Sequence, residues 1–250
     1  VLTLLPELPA YAWALLVCAG FFVGISKTAL PGISTISIAI FAALMPAKES
    51  TGALLVLLIV GDVFALLAYR RHADRKALIR LIPAVAAGLL LGVLFLWLAD
   101  DSGVQRVIGV VLLLVVAVTL WQRYRSPKEP SDRAALASRI GYGALGGFTT
   151  MVANAGGPVM SMYFVAARFP VKAFLGTAAW FFAIVNLAKL PFSIGLGLIT
   201  PGGLLVDLVL IPGLIVGAFV GRWIANRIKQ ELFDGIVLVL TVLGAVYLIL

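Results

Sequence analysis

Along this chain, long apolar runs alternate with short ones, and the short ones come in pairs. The long runs cover 51–69, 78–98, 104–121, 173–191, 204–224 and 232–250. Each is close to the ~20 apolar residues that a helix needs to cross a hydrocarbon core of about 30 Å. The short runs cover 10–24, 33–44, 140–152 and 159–167. At about 1.5 Å per residue the longest of them reaches only about 22 Å. A polar break separates the members of each pair: Ser26-Lys27-Thr28-Ala29-Leu30-Pro31-Gly32 in the first, Asn154-Ala155-Gly156-Gly157-Pro158 in the second. Glycine raises the entropic cost of helix, and proline removes a donor and clashes with the preceding turn, so each break predicts a helix interruption. Inside lipid such backbone survives only where it is buried in protein or lines a cavity. Two short arms around a break predict a re-entrant helical hairpin with its tip near mid-depth. The expected fold class is an all-α polytopic membrane protein with six spanning helices and two re-entrant hairpins.

The order of elements repeats. Offset by 124 residues, Gly32 falls on Gly156, Pro46 on Pro170, Lys48 on Lys172 and Gly52 on Gly176. Offset by 129, Leu81-Ile82-Pro83 falls on Leu210-Ile211-Pro212, Gly88 on Gly217 and Gly92 on Gly221. The chain therefore divides into an N-terminal repeat, 1–121, a polar cytoplasmic linker, 122–139, and a C-terminal repeat, 140–250. Each half makes an odd number of crossings, so the second half is expected to insert inverted relative to the first. With the N-terminus outside, the basic loop 70–76, the linker, Arg168 with Lys172, and 222–229 all fall inside, which agrees with the positive-inside tendency. Inverted repeats with helices broken at the midplane are the architecture of secondary transporters.

Composition sharpens this picture. The chain of 250 residues is 62% hydrophobic, has a mean hydropathy of +1.13 and is only 12% charged. Soluble proteins carry about 25% charged residues, so a soluble domain is excluded. The net charge of +8 sits in short loops between apolar runs, which is the pattern of a membrane protein rather than of a nucleic-acid binder. Cys18 is the one cysteine and lies in an apolar run; His72 is the one histidine and lies among arginines in a loop. Membrane enzymes need paired carboxylates, a Ser–His arrangement or a metal cluster within the apolar region. None is legible, so neither catalysis nor a cofactor is expected.

The residues that offer chemistry gather at the breaks. Lys27 lies in the first, and a charge at that depth is expensive unless it has a partner or a task. Ser26, Thr28, Ser34, Thr149, Thr150 and Asn154 supply polar groups nearby. Helices starting at Gly32 and Gly157 would aim free N–H groups and positive dipole ends at the same spot. The expected substrate-binding set is Ser26, Lys27, Thr28, Gly32, Thr150, Asn154, Gly156 and Gly157. Asp62 sits midway along 51–69 and maps by the repeat onto Asn186, with Lys189 one helical turn beyond on the same face. Asp62 and Lys189 are therefore expected coupling residues. A structural ion pair of Asp62 with Lys27 or Lys189 and a proton relay through Asp62 both remain open.

The Gly-rich stretch 24–32, Asn154-Ala-Gly-Gly-Pro158, and Phe169-Pro-Val-Lys172 followed by Gly176 resemble the sulfite exporter TauE/SafE family over nearly the whole chain. The family's first break is often a run of glycines, which this chain replaces with Ser26-Lys27-Thr28-Ala-Leu-Pro31-Gly32. The resemblance implies a secondary transporter that exports small sulfur oxyanions or organosulfonates across a bacterial inner membrane. An anion channel, or a transporter of another small anion, is the alternative. The expected partners are the bilayer and a small anionic substrate, with a homodimer left open and nucleic acid excluded.

Overall fold

The computed structural model describes residues 8–100 and 132–229, with isolated positions between 102 and 110 and between 232 and 239. The expected spans 104–121 and 232–250 lie outside the described residues, apart from those positions. The described chain is helical, without a strand. We number the helices α1 (Ala10–Thr28), α2 (Ser34–Leu44), α3 (Ala47–Tyr69), α4 (Arg75–Leu98), α5 (Asp132–Ala153), α6 (Gly156–Ala166), α7 (Val171–Gly195) and α8 (Pro201–Ala225). Single 3-10 turns, Pro31–Ile33 and Arg70–His72, precede α2 and follow α3.

Among the described residues, α1, α3 with its following turn, α4, α7 and α8 are long and apolar enough to cross a membrane, and the molecule is a multi-pass membrane protein. Two ends carry side-chain caps. Asp74 accepts from the Ala77 N–H at the start of α4, and Thr200 accepts from the Gly203 N–H at the start of α8. Each satisfies one of the orphan donors that a helix start leaves. Pro83, Pro191 and Pro212 lie inside α4, α7 and α8, where neighbouring helices can absorb the lost hydrogen bond. At the α4 exit the Gly103 N–H and the Ser102 hydroxyl hold the exposed Asp100 carboxyl below its usual range.

The second break starts where the sequence places it; the first does not. Helix α1 runs on through Ser26 and Lys27 to Thr28 and reaches 19 residues, so its first arm is no short segment. The polar side chains there do not break the helix, because each finds a partner. The Thr28 hydroxyl lies 3.0 Å from the Gly24 carbonyl one turn back and 2.9 Å from the Ala218 carbonyl on α8. Lys27 is paired with α3. The interruption is confined to Ala29–Ile33, where Pro31 cannot donate. Helix α5 begins at Asp132, inside the stretch read as linker, and is 22 residues long. Only the second arms, α2 and α6, are short, at 11 residues each.

Two helix pairs frame the centre. Helix α8 lies along α1 and α5 along α4, each pair running in the same direction. Close approach is set by glycines whose missing side chains let backbone meet backbone. A methyl at Gly217 would collide with the Phe21 carbonyl, and one at Gly88 with the Ala144 carbonyl. Gly221 faces Ile25 and Thr28, as Gly92 faces Phe148 and Met151. Small residues of this kind are what allow helices to associate closely in lipid, where no hydrophobic drive acts between them.

Helix α3 serves as a ruler for the breaks. The Tyr69 hydroxyl, at its C-terminal end, donates to the Thr28 carbonyl at 2.8 Å. The Asn154 amide donates to the Thr51 carbonyl, one turn from its N-terminal end, also at 2.8 Å. The ends of α1 and α5 thus overshoot each other towards opposite ends of α3. What meets between them is the start of the two short arms: Gly157 packs directly on Pro31 and Ser34.

Candidate functional site

The two short-arm starts, together with α3 and α7, enclose one small cavity. Ser26, Lys27, Pro31 and Ser34 come from the first break, and Thr150, Asn154 and Gly157 from the second. Leu58, Asp62 and Ala65 of α3 and Ala178, Phe182 and Asn186 of α7 complete it. Its volume of about 20 Å³ is enough for about one water.

The polar groups fall into two linked sets. In the first, the Lys27 ammonium donates to Asp62 Oδ1 at 2.6 Å, with both side chains almost wholly enclosed. Asn186 Nδ2 donates to Asp62 Oδ2 at 2.7 Å. Lys27 also stands 4.9 Å from the centre of the Phe182 ring, within the range of a cation–π contact. Both carboxylate oxygens are therefore committed, one to each half of the chain. In the second set, Lys189 is fully buried and donates to Asn154 Oδ1 at 2.6 Å and to Thr150 Oγ1 at 3.4 Å. Among the described residues the Lys27–Asp62 contact is the one salt bridge, so Lys189 has polar partners but no carboxylate beside it.

Local backbone chemistry holds this arrangement. Asn154 has φ 55°, the left-handed region, which asparagine tolerates better than other non-glycine residues. That turn ends α5, aims the Asn154 carbonyl oxygen at Lys189, and lets α6 start at Gly156. No side chain caps the first-turn N–H groups at the start of α6, where Gly157 lies beside Pro31 and Ser34 and Gly156 beside Thr150. The serine hydroxyls are turned inward: Ser26 Oγ and Ser34 Oγ both donate to the Pro31 carbonyl, at 3.1 and 2.7 Å.

The structure thus brings together Ser26, Lys27, Thr150, Asn154, Gly157 and Asp62 around one cavity, with Lys189 one bond behind Thr150 and Asn154. Thr28 is not in this group. It faces α8 and Tyr69, because the helix carries it to the opposite side from Ser26. Gly32 and Gly156 support the turns without lining the cavity; Gly156 packs on Thr150. Asn154 is present, but its amide nitrogen is committed to Thr51, so it offers Lys189 an acceptor rather than offering a ligand a donor. Sequence reasoning did not count Asn186 as a site residue, although the offset of 124 that maps it onto Asp62 is the separation of two residues now in direct contact. The apolar wall, Leu58, Ala65, Ala178 and Phe182, carries no signal in a chain this hydrophobic.

Searches of curated proteins and of solved structures return no match for this chain. The family model described as sulfite exporter TauE/SafE matches residues 16–248, which takes in both breaks, both flanking helix pairs and every residue of the cavity. On that match, and with the helical membrane fold that accompanies it, the chain belongs to the sulfite exporter TauE/SafE family.

Proposed function

We propose that the protein is a secondary transporter that exports a small sulfur-containing anion, sulfite or an organosulfonate, across a bacterial inner membrane. The observation that carries this reading is the cavity itself. It takes residues from both breaks and is lined by the buried Lys27. A second buried lysine, Lys189, lies one hydrogen bond behind Thr150 and Asn154, and one carboxylate, Asp62, is in the wall. A buried charge with no counter-charge is expensive, and an anion entering beside Lys189 would supply one. The first-turn N–H groups of Gly156 and Gly157 add donors of the kind that helix starts offer to anions. The Thr150 hydroxyl accepts from Lys189 and keeps its own proton for a ligand.

The matching glycine contacts of α1 with α8 and of α5 with α4 support the inverted-repeat reading, with α1–α2 and α5–α6 as the two hairpins. In this scheme the anion competes with Asp62 for Lys27. Asp62, once released, takes a proton, which couples anion movement to the proton gradient. The test is flux of labelled sulfite in proteoliposomes containing the purified protein. A charge-assisted hydrogen bond contributes roughly 1.5–3 kcal/mol, so Lys27→Ala is expected to weaken anion affinity about tenfold or more. Wild-type affinity in both Lys27→Ala and Lys189→Ala would remove the site from this cavity.

A further inference from the structure

Asn186 holds a group that the ion pair does not use. Its nitrogen must be the atom facing Asp62, because a carboxylate accepts and cannot donate to a carbonyl oxygen. That fixes the direction of the amide. The other end, Oδ1, is then buried in the cavity wall with no hydrogen-bond partner among the described residues. Asn186 itself is 1% exposed, so no bulk water reaches this oxygen. A buried acceptor left unmade costs roughly 1–3 kcal/mol, and such groups call for a reason.

The remaining groups on the cavity are donors or are already satisfied. Lys27, Thr150 and the Gly157 N–H on the lining offer hydrogens, as does Lys189 just behind Thr150. Both Asp62 oxygens are taken. Among the lining side chains, Asn186 Oδ1 is the one buried polar atom that makes no hydrogen bond at all within the described residues. A ligand that satisfies every group here presents negatively charged oxygens to the lysines and a hydrogen to Asn186.

We propose that the cavity selects an anion that also carries a hydrogen-bond donor: hydrogensulfite rather than the sulfite dianion, and hydroxy- or amino-substituted sulfonates rather than plain alkanesulfonates. This rests on the anion site proposed above and adds the recognition element within it. A site with a buried acceptor rejects an analogue that lacks the matching donor, since the acceptor is then left unpaired.

The test is binding of methanesulfonate and of hydroxymethanesulfonate to the purified protein, two monoanions that differ by one O–H. Wild type is expected to hold hydroxymethanesulfonate about five- to tenfold more tightly. Asn186→Leu is expected to bring the two affinities within about twofold of each other while methanesulfonate still binds. Asn186→Gln, which keeps an amide, is expected to retain part of the preference and controls for folding. Equal affinities in wild type overturn the selection while leaving the anion site intact. A preference that survives in Asn186→Leu also overturns it, by placing the acceptor elsewhere. Absence of binding for both anions overturns the site itself and this inference with it.

Discussion

The first break carries its cation on the helix end that bends; the second carries an acceptor and receives its cation from a neighbouring helix. Lys27 leaves α1 and reaches Asp62 on α3. Asn154 ends α5 and is reached by Lys189 on α7. Asp62 of α3 and Asn186 of α7, which the sequence offset of 124 pairs, touch at 2.7 Å. In the proposed repeat scheme, the two breaks differ in their charges. One contributes a near-neutral ion pair, the other a cation with only neutral partners. A site made from two identical halves would hold either two ion pairs or two bare cations. Under the proposed function, this mixed arrangement is what would attract one small anion.

The largest effect should come from breaking the asymmetric pair. Asp62→Ala leaves Lys27 buried without its carboxylate, and removing one partner of a buried ion pair costs about 3–5 kcal/mol. Thermal unfolding in detergent should show this as the steepest loss of any single change in the cavity. Asp62→Asn should be milder, and should remove the dependence of sulfite flux on a pH gradient. Adding Asn186→Asp to Asp62→Asn moves the carboxylate to the matching position of the other half. That double variant is expected to regain part of the lost stability. If it is no more stable than Asp62→Asn alone, the two positions are not equivalent in the way their contact suggests.

The next effect probes whether the helix pairs, unlike the charges, are alike. Gly217 rests on the Phe21 carbonyl and Gly88 on the Ala144 carbonyl. An added methyl at either must push two backbones apart, and overpacking of that kind costs about 1–3 kcal/mol. Gly217→Ala and Gly88→Ala should lower the unfolding temperature by similar amounts. A loss confined to one of them would mean that the two halves are packed to different tolerances.

How much of this was legible depends on how local each signal is. The start of the second break shows in the sequence, at Asn154, but its end does not: Gly156, Gly157 and Pro158 form the first turn of α6, where proline's missing N–H costs no hydrogen bond. The first begins three residues later than the sequence places it, at Ala29 rather than Ser26. Ser26, Lys27 and Thr28 look like loop, yet they remain helical because their partners, Asp62 and Ala218, lie far away in the chain. No local pattern announces such partners. Lys189 is fully enclosed and held by Asn154, at the distant second break, a partner that no local pattern around Lys189 shows. The pairing of Asp62 with Asn186 was accessible in principle, since the repeat links their positions, and two equivalent helices that meet must meet at equivalent residues. Thr28 misled for the opposite reason: it is polar and lies in the break, but it faces outward to α8, and direction around a helix is not visible where the helix end is uncertain.

The smallest effect separates the two things that Asn154 does. It adopts a left-handed backbone, and it supplies the oxygen for Lys189. Asn154→Gly keeps the backbone at little strain and removes the oxygen. Asn154→Ala removes the oxygen and adds the strain of a left-handed L-residue, about 1–2 kcal/mol. Both should weaken anion affinity if Lys189 depends on Asn154 to hold it beside the cavity. The alanine variant should then be less stable than the glycine variant by about 1 kcal/mol, a difference readable as a shift in unfolding temperature of a few degrees. If the two unfold together, the left-handed backbone at Asn154 carries no strain that a side chain must overcome. If the glycine variant keeps wild-type affinity, Lys189 does not need Asn154, and the bare cation of the second half would be positioned by Thr150 alone.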